Sequence, residues 1–143
     1  MLNQPLRPLA ITVAAGGIWD AFLGIGYVFL IGTGRSIDQP PPLTGFYAIF
    51  IGQFFLAFAY LQLLSAFNIR RYLITVGVVA FGRLFYLVQM VLFTLLVGGL
   101  TGLFYLGAVI DAALVGLCFF FALRGGRQLR DLFLPARGPI VES

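Results

Sequence analysis

Residues 72–97 read YLITVGVVAFGRLFYLVQMVLFTLLV, an apolar run interrupted by a single charge, Arg83. A hydrocarbon core about 30 Å thick takes about 20 helical residues to cross, so this stretch is long enough to span a bilayer. A lone charge at the centre of such a helix costs about 2.5–3.5 kcal/mol on insertion scales. The helix is therefore tolerable only if the rest of the chain answers Arg83. Two other apolar runs carry an answer: residues 10–31 hold Asp20 and residues 103–123 hold Asp111, each near its centre. A fourth run, 46–67, is uncharged.

The whole chain shares this character. Of its 143 residues 61% are hydrophobic and 10% charged, with a mean hydropathy of +1.03. Soluble domains are about one quarter charged, so the class is a polytopic membrane protein. There is no His and only one Cys, Cys118. Within one copy, neither a disulfide nor a His/Cys metal site can form, and axial His ligation of haem or of a chlorophyll is excluded. No phosphate-binding loop or nucleophile–base pair is present, so no catalytic residue and no cofactor is expected. A pI near 9.7 does not point to nucleic acid. Every basic residue is Arg, and most flank the apolar runs, where they anchor to headgroups and set topology.

Residues 1–9 form a short lead with one charge, Arg7. The run after it is about 22 residues long, carries Asp20 and is followed by no small-residue cleavage pattern, so it is expected to be retained rather than removed as a signal peptide. Residues 32–45 contain Arg35, Asp38 and Pro40-Pro41-Pro42, a stiff piece that cannot continue a helix. Thr44 is placed to cap the second helix. All seven prolines are expected outside the four helices, and the third helix is expected to be the longest. Residues 68–71 and 98–102 make short turns, and turns this short set neighbouring helices antiparallel. The expected fold is all-α: one membrane domain over 1–143, an up-down-up-down four-helix bundle with a basic tail at 124–143.

Charge sets the orientation. Arg7, Arg70, Arg71, Arg124, Arg127, Arg130 and Arg137 fall on one side, and only Arg35 falls on the other. The positive-inside rule puts both termini in the cytoplasm of a bacterial inner membrane. In the tail, Gly125-Gly126 ends the fourth helix, Leu129, Leu132 and Phe133 come together on a helical wheel, and Pro135 stops the pattern. Two readings fit this stretch. One is a basic membrane-flanking stop; the other is a short interfacial helix that holds anionic lipid or a partner through Arg124, Arg127 and Arg130.

The three internal charges agree in depth. Counted from the cytoplasmic side at 1.5 Å per residue, Asp20 lies about 15 Å in and Arg83 about 16 Å; Asp111 lies about 12 Å from the opposite surface. All three fall near the midplane of a core about 30 Å thick. Faces agree as well. Asp20 shares a stripe with Gly17 and Gly24, which would admit a neighbouring backbone; Asp111 lies beside Gly107 and Ala108; Arg83 lines up with Tyr86 next to Gly82. A buried Asp20–Arg83–Asp111 cluster follows, and a guanidinium with five donors in a fixed fork suits two carboxylates. Its formal sum is −1. A protonated carboxyl, Tyr and Gln donors, or a bound cation would each balance it. Tyr27, Gln53, Tyr86 and Gln89 are candidates to extend a polar lining outward, with interhelical hydrogen bonding as their simpler role.

Three stretches in this order, Gly17-Ile-Trp-Asp20 with Gly24, Gly82-Arg83-Leu-Phe-Tyr86 and Val109-Ile-Asp111, resemble the small bacterial four-helix membrane proteins of the DoxX/BphX-like type. The likeness covers about residues 10–123 and implies the four-helix architecture. Some members are associated with redox or catabolic systems, which implies one further role, a subunit of a quinone-linked membrane redox enzyme. No catalytic residue carries over by position.

The residues themselves lead to a non-enzymatic expectation. It is an accessory or structural subunit of a membrane complex, or a module that binds lipid or a small molecule. Its partners would be membrane lipids and either other subunits or further copies, with no nucleic acid. The alternative is a small transporter or proton-coupled carrier that uses the cluster. A dry, fully paired triad favours an ion-pair staple that fixes helix register. A cavity reaching Tyr27 or Gln89 favours passage of a solute.

Overall fold

The computed structural model describes residues 4–31, 45–98 and 102–134. A 3-10 turn, Gln4–Leu6, leads into α1, Arg7–Ile25, which continues as a π-helix over Gly26–Ile31. Then come α2, Gly45–Phe67, α3, Leu73–Leu96, α4, Gly102–Arg124, and the single turn α5, Arg130–Phe133. Among the described residues all regular structure is helical. Four segments are long and apolar enough to cross a membrane: Arg7–Ile31 with 25 residues, Phe46–Phe67 with 22, Leu73–Leu96 with 24 and Phe104–Arg124 with 21.

Each apolar run is thus one helix, with ends within a turn of the sequence expectation. Two details differ. Pro8 is not outside the helices but in the first turn of α1. There its missing N–H removes no helical hydrogen bond and its fixed φ suits the start. With its π-helical extension the first span, not the third, is the longest of the four. The expected cap at Thr44, the proline run, most of the 98–102 turn, Arg35 and Arg137 lie outside the described residues.

Three hydroxyls inside these apolar helices are satisfied locally. Thr12, Ser65 and Thr94 donate to the carbonyls four residues back, of Pro8, Leu61 and Met90, at 3.0, 2.7 and 2.7 Å. These three hydroxyls are satisfied within their own helices. The outer surface is apolar on all sides: Phe46 is 72% exposed, Phe67 83% and Leu95 76%. The buried set, by contrast, includes Thr12, Asp20, Gln62, Ser65, Arg83 and Asp111. That is the inverse of a soluble domain, and it suits lipid as the surrounding solvent.

Packing differs along the bundle. The long helices α1 and α2 approach closely at Gly24 and Gly52. A Cβ on either glycine would sit 2.9 Å from the other's carbonyl oxygen, so neither position admits a side chain. Just beyond, the π-helical turn lays Tyr27 on Phe55, with ring centroids 5.6 Å apart. At the other end of α1 lies a dense core. It joins Leu6, Leu9, Ala10 and Val13 to Ile69, Leu73 and Val76, with Ala122 from the finish of α4 and Leu132 from α5.

The tail closes this packed end. Leu132 is completely buried, while Leu129 and Phe133 are 41% and 43% exposed. A Cβ at Gly77 of α3 would collide with the backbone carbonyl of Leu132, so α5 rests directly on the α3 backbone. Phe133 meets Phe119 of α4 edge to face, with ring centroids 6.3 Å apart. Asp131 steadies the turn by accepting from the Gln128 N–H at 3.0 Å. The three apolar residues of the tail therefore split between the bundle and its surroundings instead of forming one interfacial face.

Candidate functional site

Asp20, Arg83 and Asp111 do meet. The Arg83 Nη2 lies 2.8 Å from Asp20 Oδ1, and its Nη1 pairs with Asp111 Oδ1. Nη2 also donates to the Gly16 carbonyl and to Gln62 Oε1, each at 3.3 Å. The Gln62 amide returns a bond from Nε2 to Asp20 Oδ2 at 2.5 Å and holds the Phe58 carbonyl at 3.2 Å. Each of the four long helices contributes one of these side chains. Exposure is 4% at Asp20, 3% at Gln62, 8% at Arg83 and 7% at Asp111, so the cluster is enclosed by the bundle.

Gln62 is the member that sequence reasoning misses. It stands out only as an uncharged polar residue in the second run, with nothing to separate it from Gln53. A signal does exist, because Gly52, Phe55, Ala59 and Gln62 recur at helical spacing and form the face that meets α1. On the α1 side, a Cβ at Gly17 would lie 3.2 Å from the Ala59 carbonyl, and one at Gly16 would overlap Gln62 Oε1. The two glycines let the amide and the guanidinium lie against bare backbone.

On one side the cluster borders a cavity of about 390 Å³. Asp20, Arg83 and Asp111 make its charged floor, and Leu23, Val79, Gly82 and Gly107 line it as well. Its aromatic wall comes from Phe50, Phe54, Phe55 and Phe58 of α2, with Ile51 between them, and Tyr86 and Gln89 of α3 lie along the other side. On the opposite side of the cluster the bundle leaves a void of only about 10 Å³, lined by Thr12, Gly16, Gln62 and Cys118 among others. A space of that size holds about one water.

The four expected lining residues separate. Tyr86 and Gln89 line the cavity. Tyr27 is half-buried against Phe55, one layer behind the wall, and Gln53 is exposed and outside the lining. The Tyr86 hydroxyl donates to the Phe104 carbonyl at 3.5 Å rather than to the cluster. Arg124 and Arg130 are exposed and Arg127 is half-buried, all at the packed end and away from the cavity. Cys118 is half-buried and packs on the edge of the core.

The two carboxylates are not equivalent. Both oxygens of Asp20 are bonded, one to Arg83 and one to Gln62. Asp111 is bonded through Oδ1 alone. Among the described residues, Trp19 Nε1 is the only enclosed side-chain polar atom without a hydrogen bond. Asp111 Oδ2 has no protein donor among the described residues, and Asp111 lines the cavity. Chemically, the arrangement offers a fixed acceptor and a fixed guanidinium at the base of an aromatic pocket. Such a site can bind and orient. In comparisons with protein-family models, curated proteins and solved structures, the chain matches none.

Proposed function

We propose that this chain is a small integral membrane protein that binds an amphiphilic small molecule in the cavity, without transforming it. The observation that carries this reading is the cavity itself: about 390 Å³, aromatic along one wall and charged at its floor. Binding pockets for small molecules have that build, mostly apolar with a few placed polar groups. A pure staple needs no such space, because the cluster's ion pairs would be made equally well in a filled bundle.

The same reading sets the chain in a bacterial inner membrane as an up-down-up-down bundle with both termini in the cytoplasm. Support comes from Arg7, Arg70, Arg71, Arg124, Arg127 and Arg130, which cluster around the packed end. The cavity then lies in the outer half of the bilayer. Arg124, Arg127 and Arg130 meet anionic headgroups, and the lipid-facing phenylalanines leave room for accessory contacts with other membrane subunits. The DoxX/BphX-like resemblance agrees with this architecture.

Binding can be tested in lipid nanodiscs by equilibrium dialysis with two aromatic probes, tetraphenylphosphonium and triphenylphosphine oxide, against empty discs. At least one should bind saturably, one per chain, and Gly107→Phe should remove that binding by filling the cavity. A Cβ at Gly107 has the Tyr86 hydroxyl as its nearest neighbour at 3.8 Å, so a larger side chain can grow into the space. If neither probe exceeds the empty discs, the binding reading is wrong.

A second reading, a carrier that moves its ligand across the cluster, is favoured by two observations, of which the first is that the cavity reaches Gln89. The second is that the small void beyond Arg83 shares Val79 and Arg83 with the cavity, so the two spaces meet at these neighbouring side chains of α3. A carrier predicts that Asp111→Asn inserts and folds but abolishes uptake into vesicles. Uptake at the parent rate by that variant excludes it.

A further inference from the structure

We infer that the cavity selects lipophilic cations, molecules with an aromatic or branched apolar body and one positive charge. The inference rests on the binding reading above and names its ligand class. It begins from charge: two carboxylates and one guanidinium leave the floor with a formal sum of −1.

The surrounding groups do not supply the missing counterpart. Gln62 spends its Nε2 on Asp20 and the Phe58 carbonyl. Tyr86 turns its hydroxyl to the Phe104 carbonyl, and Gln89 is an exposed residue farther along α3. Asp111 Oδ2 is what remains, an acceptor without a protein donor on a residue that is more than nine-tenths buried and lines the cavity. A carboxylate oxygen without a protein donor on a buried residue is poorly compensated, and a cation or a charged N–H donor entering the cavity relieves it.

The walls agree with the floor. The faces of Phe54, Phe55, Phe58 and Tyr86 carry the negative side of the ring quadrupole, which attracts a cation in a desolvated site. An anion finds no comparable welcome. Arg83 is the only basic residue in the lining, and both terminal nitrogens of its fork are held by protein oxygens. Its Nε–H has no protein acceptor among the described residues, which suits a neutral ligand oxygen next to the charge. One N–H of a guanidinium that already faces two carboxylates does not make an anion site.

Three probes of similar shape separate the possibilities in nanodiscs: tetraphenylphosphonium, triphenylphosphine oxide and the anion tetraphenylborate, each corrected for empty discs. The phosphonium should bind about tenfold or more tighter than the oxide, and the borate should show no saturable binding. Asp111→Asn should bring the phosphonium down to the affinity of the oxide. The comparison among probes on the parent chain needs no variant, so the inference stays exposed even if Asp111→Asn fails to fold. Equal binding of oxide and phosphonium, still removed by Gly107→Phe, overturns the cation preference and leaves the binding reading intact. Preference for the borate, or a phosphonium preference that survives Asp111→Asn, overturns it too. Saturable binding of none of the three overturns both.

Discussion

The two halves of this bundle are built from the same apolar vocabulary and finish differently. At the packed end, Leu6, Leu9, Val13, Leu73 and Val76 interlock, α5 drops Leu132 into the remaining gap, and the void beside the cluster is about 10 Å³. In the other half α2 leans on α1 through Gly24 and Gly52, stands off from α3, and leaves about 390 Å³ open. Large aromatic side chains are available there, yet Phe50 and Phe54 are 48% and 54% exposed and do not fill the space. The difference teaches that burial of apolar bulk is not what closes a helix bundle whose surroundings are apolar too. Close approach does, and it depends on where small residues and a plug are placed. The ion cluster sits at the seam, where a charged fork from α3 reaches the other three long helices.

That seam gives the largest expected effect. Arg83→Ala leaves Asp20 and Asp111 buried without their cation, and breaking a buried pair from one side costs about 3–5 kcal/mol. Unfolding in mixed micelles should show a loss of that size, with a matching drop in folded yield. Arg83→Lys keeps the charge but not the fork, and should recover part of it. If Arg83→Ala unfolds like the parent chain, the cluster does not join the halves, and each half holds by itself.

At the packed end the test is the plug. Leu132→Ala removes a fully buried side chain from a core that has little room to relax. A loss of about 2–3 kcal/mol is expected, at the low end for such truncations because a single helical turn can follow the shrinkage. The companion readout is trypsin: cleavage after Arg127 and Arg130 should quicken in the variant as α5 lifts from Gly77. Unchanged stability and unchanged cleavage would mean that α5 is an ornament, and that the packed end owes its density to α1 and α3 alone.

Much of this was legible in the residues, and the reason is physical. Each of the four helices had to be a long apolar run, because backbone groups facing lipid must be satisfied within their own helix. The cluster was legible because Asp20, Arg83 and Asp111 are costly apart, and depth and face can both be counted. Gln62 was missed because an amide in an apolar helix carries no such penalty to flag it; only its stripe with Gly52 and Ala59 could have singled it out. The cavity was not legible at all. It depends on α2 leaning toward α1, and nothing in the order of residues 46–67 fixes how far α2 then stands from α3. For the tail the residues offer a basic membrane-flanking stop or an interfacial helix, and neither anticipates that the bare backbone at Gly77 lets α5 dock on its own bundle.

Gln62 itself sharpens the seam from the α2 side. Gln62→Leu keeps the volume but strips Asp20 Oδ2 of its donor and Arg83 of one acceptor. The expected loss is about 1–2 kcal/mol, the usual cost of leaving one buried polar atom unsatisfied. It should fall well below that of Arg83→Ala, because the ion pairs persist. An effect equal to that of Arg83→Ala would show that the amide, rather than the guanidinium, organises the cluster.

The smallest effect bears most directly on the contrast between the halves, because one substitution can be made in both. Gly77→Ala puts a methyl against the Leu132 carbonyl and must push α5 away, so it should cost about 1–3 kcal/mol as an overpacking change. Gly107→Ala puts the same methyl into the cavity, with the Tyr86 hydroxyl 3.8 Å away as its nearest neighbour. It should lie within about 0.5 kcal/mol of the parent chain or slightly above it, since Ala is the better helix former. Gly82→Ala, with Phe58 at 3.8 Å, should behave like Gly107→Ala. Helix propensity acts alike at all three sites, so the difference between them reads local space and little else. Equal costs at Gly77 and Gly107 would mean that the cavity half closes in the membrane, and that the two halves are packed alike after all.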